Sequence, residues 1–252
     1  MSTQGIANSK RLRAGHTVAR LALTLGAACG AAALLAGPAY RLGLLALGTG
    51  LQTVRWSAIL AIAGAILAAV ALIVLLAGPR RGVAMAAVAL AVNLAVAGPP
   101  LYLYQRALHV PPIHDISTDT DHPPAFVAVV PLRKGARNPV DYKAETAAKQ
   151  KAGYPDLAPQ TLDLPAEQAF ERALRVARAM GWQIVDVAPQ DLRIEATDST
   201  LFFGFKDDVV IRITAQGQRS VVDVRSLSRV GGSDLGTNAR RIRAFQRALV
   251  AT

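Results

Sequence analysis

The apolar positions along the chain fall into two regimes. Up to about residue 110 they come in blocks: Val18 to Ala36, Trp56 to Ala77 and Val83 to Leu103 are nearly continuous apolar stretches. Each has the roughly 20 residues that a helix rising 1.5 Å per residue needs to cross a bilayer core. The second holds no ionisable residue and the third is interrupted only by Asn93, whereas a helix of a water-soluble domain rarely runs so far without a polar stripe. The pattern predicts transmembrane helices over 18–36, 56–77 and 83–103. Gly37-Pro38 and Gly78-Pro79 should end the first two, and Gly98-Pro99-Pro100 should kink or shorten the third, because proline lacks a backbone donor and clashes with the preceding turn. Arg41 to Thr53 is leucine-rich but too short to span, and is expected along the outer membrane interface.

Beyond residue 110 the periods become short. Phe126 to Val130 reads as a short strand and Tyr142 to Lys151 as weakly helical. Ala166 to Met180 is an amphipathic helix, with Phe170, Ala173, Leu174 and Ala177 on one side and Glu167, Glu171, Arg175 and Arg178 on the other. Pro165 suits its first turn and Gly181 its stop. Alternating strands are expected at Trp182 to Val187, Leu192 to Thr197, Val209 to Ala215 and Val221 to Leu227, with a hairpin at Gly217 and a last helix from Thr237 to Leu249. Leu192, Ile194, Ala196, Val209, Ile211, Ile213, Val222 and Val224 form one apolar face. Arg193, Glu195, Arg212, Thr214, Asp223 and Arg225 point the other way. Such alternation predicts a half-exposed antiparallel sheet, with the charges pairing across open strands rather than forming a binding face. The expected fold class is α+β: three N-terminal transmembrane helices (domain 1–110), then a two-layer domain (111–252) with an antiparallel sheet and helices on one face.

Composition sharpens this picture. At 52% hydrophobic and 18% charged residues, the chain is more apolar than a soluble globule, which carries about 25% charge. The net charge of +11 is unevenly placed, since residues 1–110 hold nine Lys/Arg and no acid. A basic excess in an apolar half without a basic stripe or stacking aromatics argues for membrane topology and against nucleic acid. Lys10, Arg11, Arg13 and Arg20 lie at or before the first apolar block, and Arg80-Arg81 lies between the second and third, so these ends are expected in the cytoplasm. Tyr40, Trp56, Tyr102 and Tyr104 all fall at the opposite ends, where aromatic rings favour the interface. The expectation is a multi-pass inner-membrane protein with a cytoplasmic N-terminus and a periplasmic C-terminal domain.

The basic N-terminus before Leu21 to Leu35 also resembles a signal peptide, but the apolar core is long and no clean small-x-small site precedes a polar start. Lipid attachment at Cys29 is disfavoured by Gly26 three positions earlier. As the single cysteine, Cys29 forms no intrachain disulfide or Cys-based zinc site and is expected to fill space. Gly26 and Gly30 form a small-xxx-small pair, read as ordinary helix packing rather than a dimerisation signal. Asn93 is expected to hydrogen-bond across the bundle, and one Asn without an acid argues against a transport path.

Three segments carry a recognisable signature: Pro111-Pro112-Ile113-His114-Asp115-Ile116-Ser117-Thr118-Asp119 with Pro123-Pro124-Ala125-Phe126, then Gly181-Trp182, then Arg229-Val230-Gly231-Gly232-Ser233-Asp234-Leu235-Gly236-Thr237-Asn238-Ala239-Arg240-Arg241-Ile242. Together they resemble a bacterial member of the domain of unknown function 1499 family, over nearly all of 111–252. Three preceding membrane helices are similar to an arrangement that some members carry. The resemblance implies domain boundaries and location but brings no activity.

At 100° per residue, Ile242, Phe245 and Leu249 share one face of the last helix, with Asn238 at its centre and Arg241 at its border. Arg240, Arg243 and Arg247 lie opposite and should be solvated or near anionic headgroups. Ser233, Asp234 and Thr237 are good N-caps, so Asp234, Asn238 and Arg241 are expected to form a buried polar network. In it Arg241 is tied to Asp234 or a carbonyl, with Arg229 more exposed at the mouth. The functional counterpart is an anion pocket built from the glycine-rich turn, the helix N-terminus and Arg229. His114, Asp115, Asp119, Asp121 and His122 hold metal-competent atoms, but on a proline-flanked segment without a zinc or calcium-loop spacing, so no metal and no cofactor are expected.

The candidate ligand-binding residues are therefore Arg229, Ser233, Asp234, Asn238, Arg241, His114 and Asp115, with no catalytic residue assigned. The leading expectation is a membrane-anchored extracytoplasmic binding or scaffold domain. The rival is a membrane-bound hydrolase or transferase using the His-Asp and Arg/Gly/Ser/Asp/Asn motifs. Expected partners are the lipid bilayer and a periplasmic protein or anionic ligand, not nucleic acid.

Overall fold

A computed structural model describes residues 3–78 and 80–251; the stop expected at Pro79 falls outside them. The chain divides into two compact units, Met1–Gln105 and Arg106–Thr252.

The first unit contains α1 (Thr3–Arg41), α2 (Leu47–Leu76) and α3 (Val83–Ala107). Over Ser9–Arg41, Leu47–Leu76 and Val83–Ala107 these helices are long and apolar enough to cross a membrane. Three expected boundaries are corrected. The first helix runs through Gly37-Pro38 to Arg41, and the third runs through Pro99 and Pro100 to Ala107 without being shortened. A proline forfeits one backbone bond, whereas opening the helix in an apolar environment would strand several polar groups. Leu47 to Thr53 is not separate from the second helix but forms the opening of α2. It follows a bend in which Gly43 takes a left-handed φ of 74°.

Asn93 pins these helices together. It is fully buried, and its Nδ2 donates to the Ala22 carbonyl on α1 at 2.9 Å and to Ala89 on its own helix at 2.8 Å. A Cβ on Gly26 or Gly64 would collide with the Asn93 carboxamide, and one on Gly30 would crowd Val96. The glycines are thus spent on packing inside the unit, as expected for close helix approach. Cys29 is buried and free.

The second unit is a six-stranded sheet formed from β1 (Asp115–Ser117), β2 (Gln160–Leu162), β3 (Gln183–Ala188), β4 (Arg193–Ser199), β5 (Lys206–Gln216) and β6 (Arg219–Ser228). The order is β1-β6-β5-β4-β3, with β2 also on β6, and all pairings are antiparallel. Gly217, at φ 65°, makes the two-residue turn between Gln216 and Arg219, the position where a right-twisted hairpin needs positive φ. Helices α5 (Ala166–Ala179) and α6 (Thr237–Ala251) cover one face, their Phe170, Leu174, Ile242, Phe245 and Leu249 packing on Ile194, Val209, Ile211, Val222 and Val224. Trp182 stacks on Phe245 at 5.5 Å. A further helix, α4 (Ala144–Gly153), clips β1, where Gln150 exchanges two hydrogen bonds with the Ser117 backbone.

The second face is not half-exposed. Glu195, Asp208, Asp223 and Arg225 on it are buried, because the segment from Thr118 to Tyr142 lies across it. Phe126 and Val129 of this segment pack on Val210 and Leu227. The strand expected at Phe126–Val130 does not form. The Val127, Ala128 and Val129 amides donate instead to the two carboxylate oxygens of Glu195, at 2.9, 3.1 and 2.9 Å, and the chain continues as a 3₁₀ turn, Val130–Arg133. A carboxylate that satisfies three backbone donors replaces a ladder of strand bonds. The short strands β1 and β2 were not legible as alternation, since three residues give no period to read.

Candidate functional site

Strand periodicity sends successive side chains to opposite faces, so the doublet Asp207-Asp208 at the start of β5 serves both sides of the sheet. On the helix face, Arg241 of α6 reaches Asp207 at 2.7 Å and Asp198 at 2.8 Å. Its Nη1 donates to Ser226 Oγ at 3.0 Å and to Asn238 Oδ1. Asn238 is fully buried; it accepts from Ser226 Oγ at 2.8 Å and donates to the His114 carbonyl at 3.0 Å and Ser228 Oγ at 3.1 Å. The expected buried network therefore exists around Asn238 and Arg241, but its acids are Asp198 and Asp207.

Asp234 has a different task. Its carboxylate accepts the Gly236 and Asn238 amides at 2.8 and 2.6 Å, capping α6, and no bond to Arg241 forms. Burial pushes its carboxyl above the usual range, and the capping bonds only partly oppose this. Ser233 Oγ accepts the Leu235 amide at 3.2 Å, holding Leu235 at a left-handed φ of 52°. His114 is half-buried, with Nδ1 3.4 Å from the Gly232 carbonyl oxygen.

On the opposite face Arg229 is committed, not poised at a mouth. Its Nε and Nη2 clasp Asp208 at 2.9 and 2.8 Å and its Nη1 donates to the Leu132 carbonyl at 2.8 Å. Arg133 joins the same carboxylate at 2.5 Å, and Thr197 donates to it at 2.7 Å. Burial alone would raise the Asp208 carboxyl, yet Arg229, Thr197 and Arg133 together hold it below the ordinary carboxylate range. Asp115 also faces this side. It makes a two-pronged pair with Arg225 at 3.0 and 2.7 Å, and the Arg225 guanidinium lies between the rings of Phe126 and Tyr142, 5.0 and 5.2 Å from their centres. Burial is the dominant influence on Asp115 and pushes its carboxyl up despite Arg225.

The seven candidate residues thus gather at one end of the sheet but divide between its faces. Asn238, Arg241 and Asp234, with the His114 carbonyl and Ser233, belong to the helix side; Arg229 and Asp115 belong to the other. Arg229, the cation of the expected anion pocket, shares the Asp208 carboxylate with Arg133. Sequence reasoning missed Asp198, Asp207, Asp208, Arg133, Ser226 and Ser228. The one available signal was two adjacent acids opening an otherwise apolar strand, where a buried charge demands a partner on each face. Of the arginines expected in solvent, Arg243 is tied to Asp156 at 2.6 and 2.7 Å and lies over Tyr154, while Arg240 and Arg247 are exposed. Among the described residues no group of three His, Cys, Asp or Glu is placed to hold a metal.

Fold and cluster together define an antiparallel α+β domain pinned by arginine–aspartate clusters on both sheet faces, preceded in the chain by three helices of membrane-spanning character. A family described as protein of unknown function (DUF1499) matches residues 115–249, and the chain belongs to it. No curated protein matches the chain.

Proposed function

We propose that this is a membrane-anchored extracytoplasmic scaffold or binding domain, periplasmic in a cell with two membranes. The Lys/Arg bias of the short loops and the one-sided aromatics support that orientation. One observation carries the non-catalytic reading: apart from the half-buried His114, whose Nδ1 lies 3.4 Å from the Gly232 carbonyl oxygen, the acids and Arg229 of both signature motifs spend their hydrogen bonds inside the domain. A hydrolase built on them would need Asp115 or His114 beside Arg229 with an electron pair facing a cleft. Instead Asp115 is held by Arg225 and Arg229 by Asp208.

Fusions at Thr252 test the orientation. Alkaline phosphatase should be active there and a reporter that works only in the cytoplasm should be dark; the reverse pattern ends the proposal. Crosslinking on intact cells followed by proteomics then identifies what the domain binds.

A further inference from the structure

We propose that the β4–β5 hairpin tip and the neighbouring 3₁₀ turn form a lipid-contact rim, in which Leu201, Phe202 and Leu132 enter the headgroup layer and Lys134, Arg137 and Lys206 meet anionic headgroups. The proposal rests on reading the apolar helices as a membrane anchor.

Leu201 is 91% exposed, and Phe202 and Leu132 are 41% and 52% exposed, on a tip that is rigidly built rather than loose. The Thr200 amide donates to the Phe205 carbonyl at 2.8 Å and the Gly204 amide to Thr200 at 2.9 Å, while the Phe205 amide donates to Thr200 Oγ1 at 2.9 Å. Behind it Phe203 is buried and stacks on Phe205 at 5.1 Å. Ordering exposed large apolar groups this way, instead of folding them in, is the pattern of an interaction surface.

The two loops are stitched side by side through Arg229. Its amide donates to the Lys206 carbonyl, its carbonyl accepts the Arg137 and Asn138 amides, and its guanidinium holds the Leu132 carbonyl. Residues 125–138, 199–206 and 229–233 contain five Lys/Arg and no acid. Arg133 and Arg229 share the Asp208 carboxylate, and Lys134, Arg137 and Lys206 are exposed on the same two loops as the apolar side chains. Apolar side chains ringed by cations are what an anionic lipid surface selects.

The test uses the full chain with Cys29→Ala, carrying Leu201→Cys labelled with an environment-sensitive fluorophore, in phosphatidylcholine vesicles with or without phosphatidylglycerol. Gln218→Cys, in the hairpin at the other end of β5, is the control. We expect the label at 201 to be blue-shifted, quenched by nitroxides on shallow acyl-chain positions and shielded from iodide, more strongly with phosphatidylglycerol and less after Phe202→Ser. The label at 218 should show the reverse. A label at 201 as open to iodide as that at 218 overturns the rim. A label shielded from iodide but untouched by lipid nitroxides points to a protein occupant and also overturns it. Equal quenching in both lipid mixtures overturns the headgroup contacts. Failure of the anchor reads out separately, as protein released from the vesicles by alkaline carbonate.

Discussion

Arg241 and Asp207 meet at 2.7 Å across the interface between α6 and the sheet, each with a side chain only 5% exposed. A buried pair stripped of one partner leaves the other charge uncompensated, and the loss reaches about 3–5 kcal/mol. Arg241→Ala should destabilise the protein on that scale in detergent melts. Asn238→Ala should cost about 1–3 kcal/mol through the donors and acceptors it orphans. Arg247→Ala, on the exposed side of the helix, should stay within about 0.5 kcal/mol. Equal and negligible shifts at 238 and 241 would show that the network does not hold the helix.

Asp208 makes stability depend on acid. Its native carboxyl titrates below its unfolded value, so the stabilisation is complete above the ordinary aspartate value of about 3.9 and is lost as pH falls from there through the lowered native value. Arg229→Ala should lower Tm at neutral pH, contrary to what a solvent-facing anion ligand would do. The gap between wild type and variant should narrow as the pH is taken below about 4. A gap that is constant across that window would remove Asp208 as the source.

Glu195, fully buried, is the single acceptor for three consecutive amides of the segment covering the second face. Glu195→Gln replaces one acceptor oxygen by a donor facing those amides. Hydrogen exchange at Val127, Ala128 and Val129 should then accelerate by more than at the β5–β6 pairs, because a local opening replaces a global one. Uniform acceleration across the domain would mean that the segment has no independent hold.

In the helical unit, Gly64 and Asn93 should be coupled. Gly64→Ala places a methyl on the carboxamide and should cost about 1–3 kcal/mol as overpacking, while Asn93→Ala should cost about 0.6 kcal/mol, the average for an interhelical hydrogen bond in lipid. The double variant should be less damaged than the sum, since the smaller side chain relieves the clash. Unfolding in mixed micelles measures all three, and strict additivity would contradict the close approach.

The pattern of apolar residues by itself determined that there are three long apolar helices, that an α+β domain follows, which strands alternate, and that Asn238 and Arg241 face inward. These are periodicities of 3.6 and 2 residues, carried by each segment within itself. Signature motifs at both ends of the second unit were also legible as a family resemblance. Tertiary structure alone decided what the polar groups meet. Whether Asp208 faces solvent or two arginines, whether Arg229 is a ligand or a brace, and whether Val127–Val129 extend a sheet or converge on Glu195 depend on segments distant in sequence. A buried charge reveals that it needs a partner, but not which strand, turn or helix will deliver one.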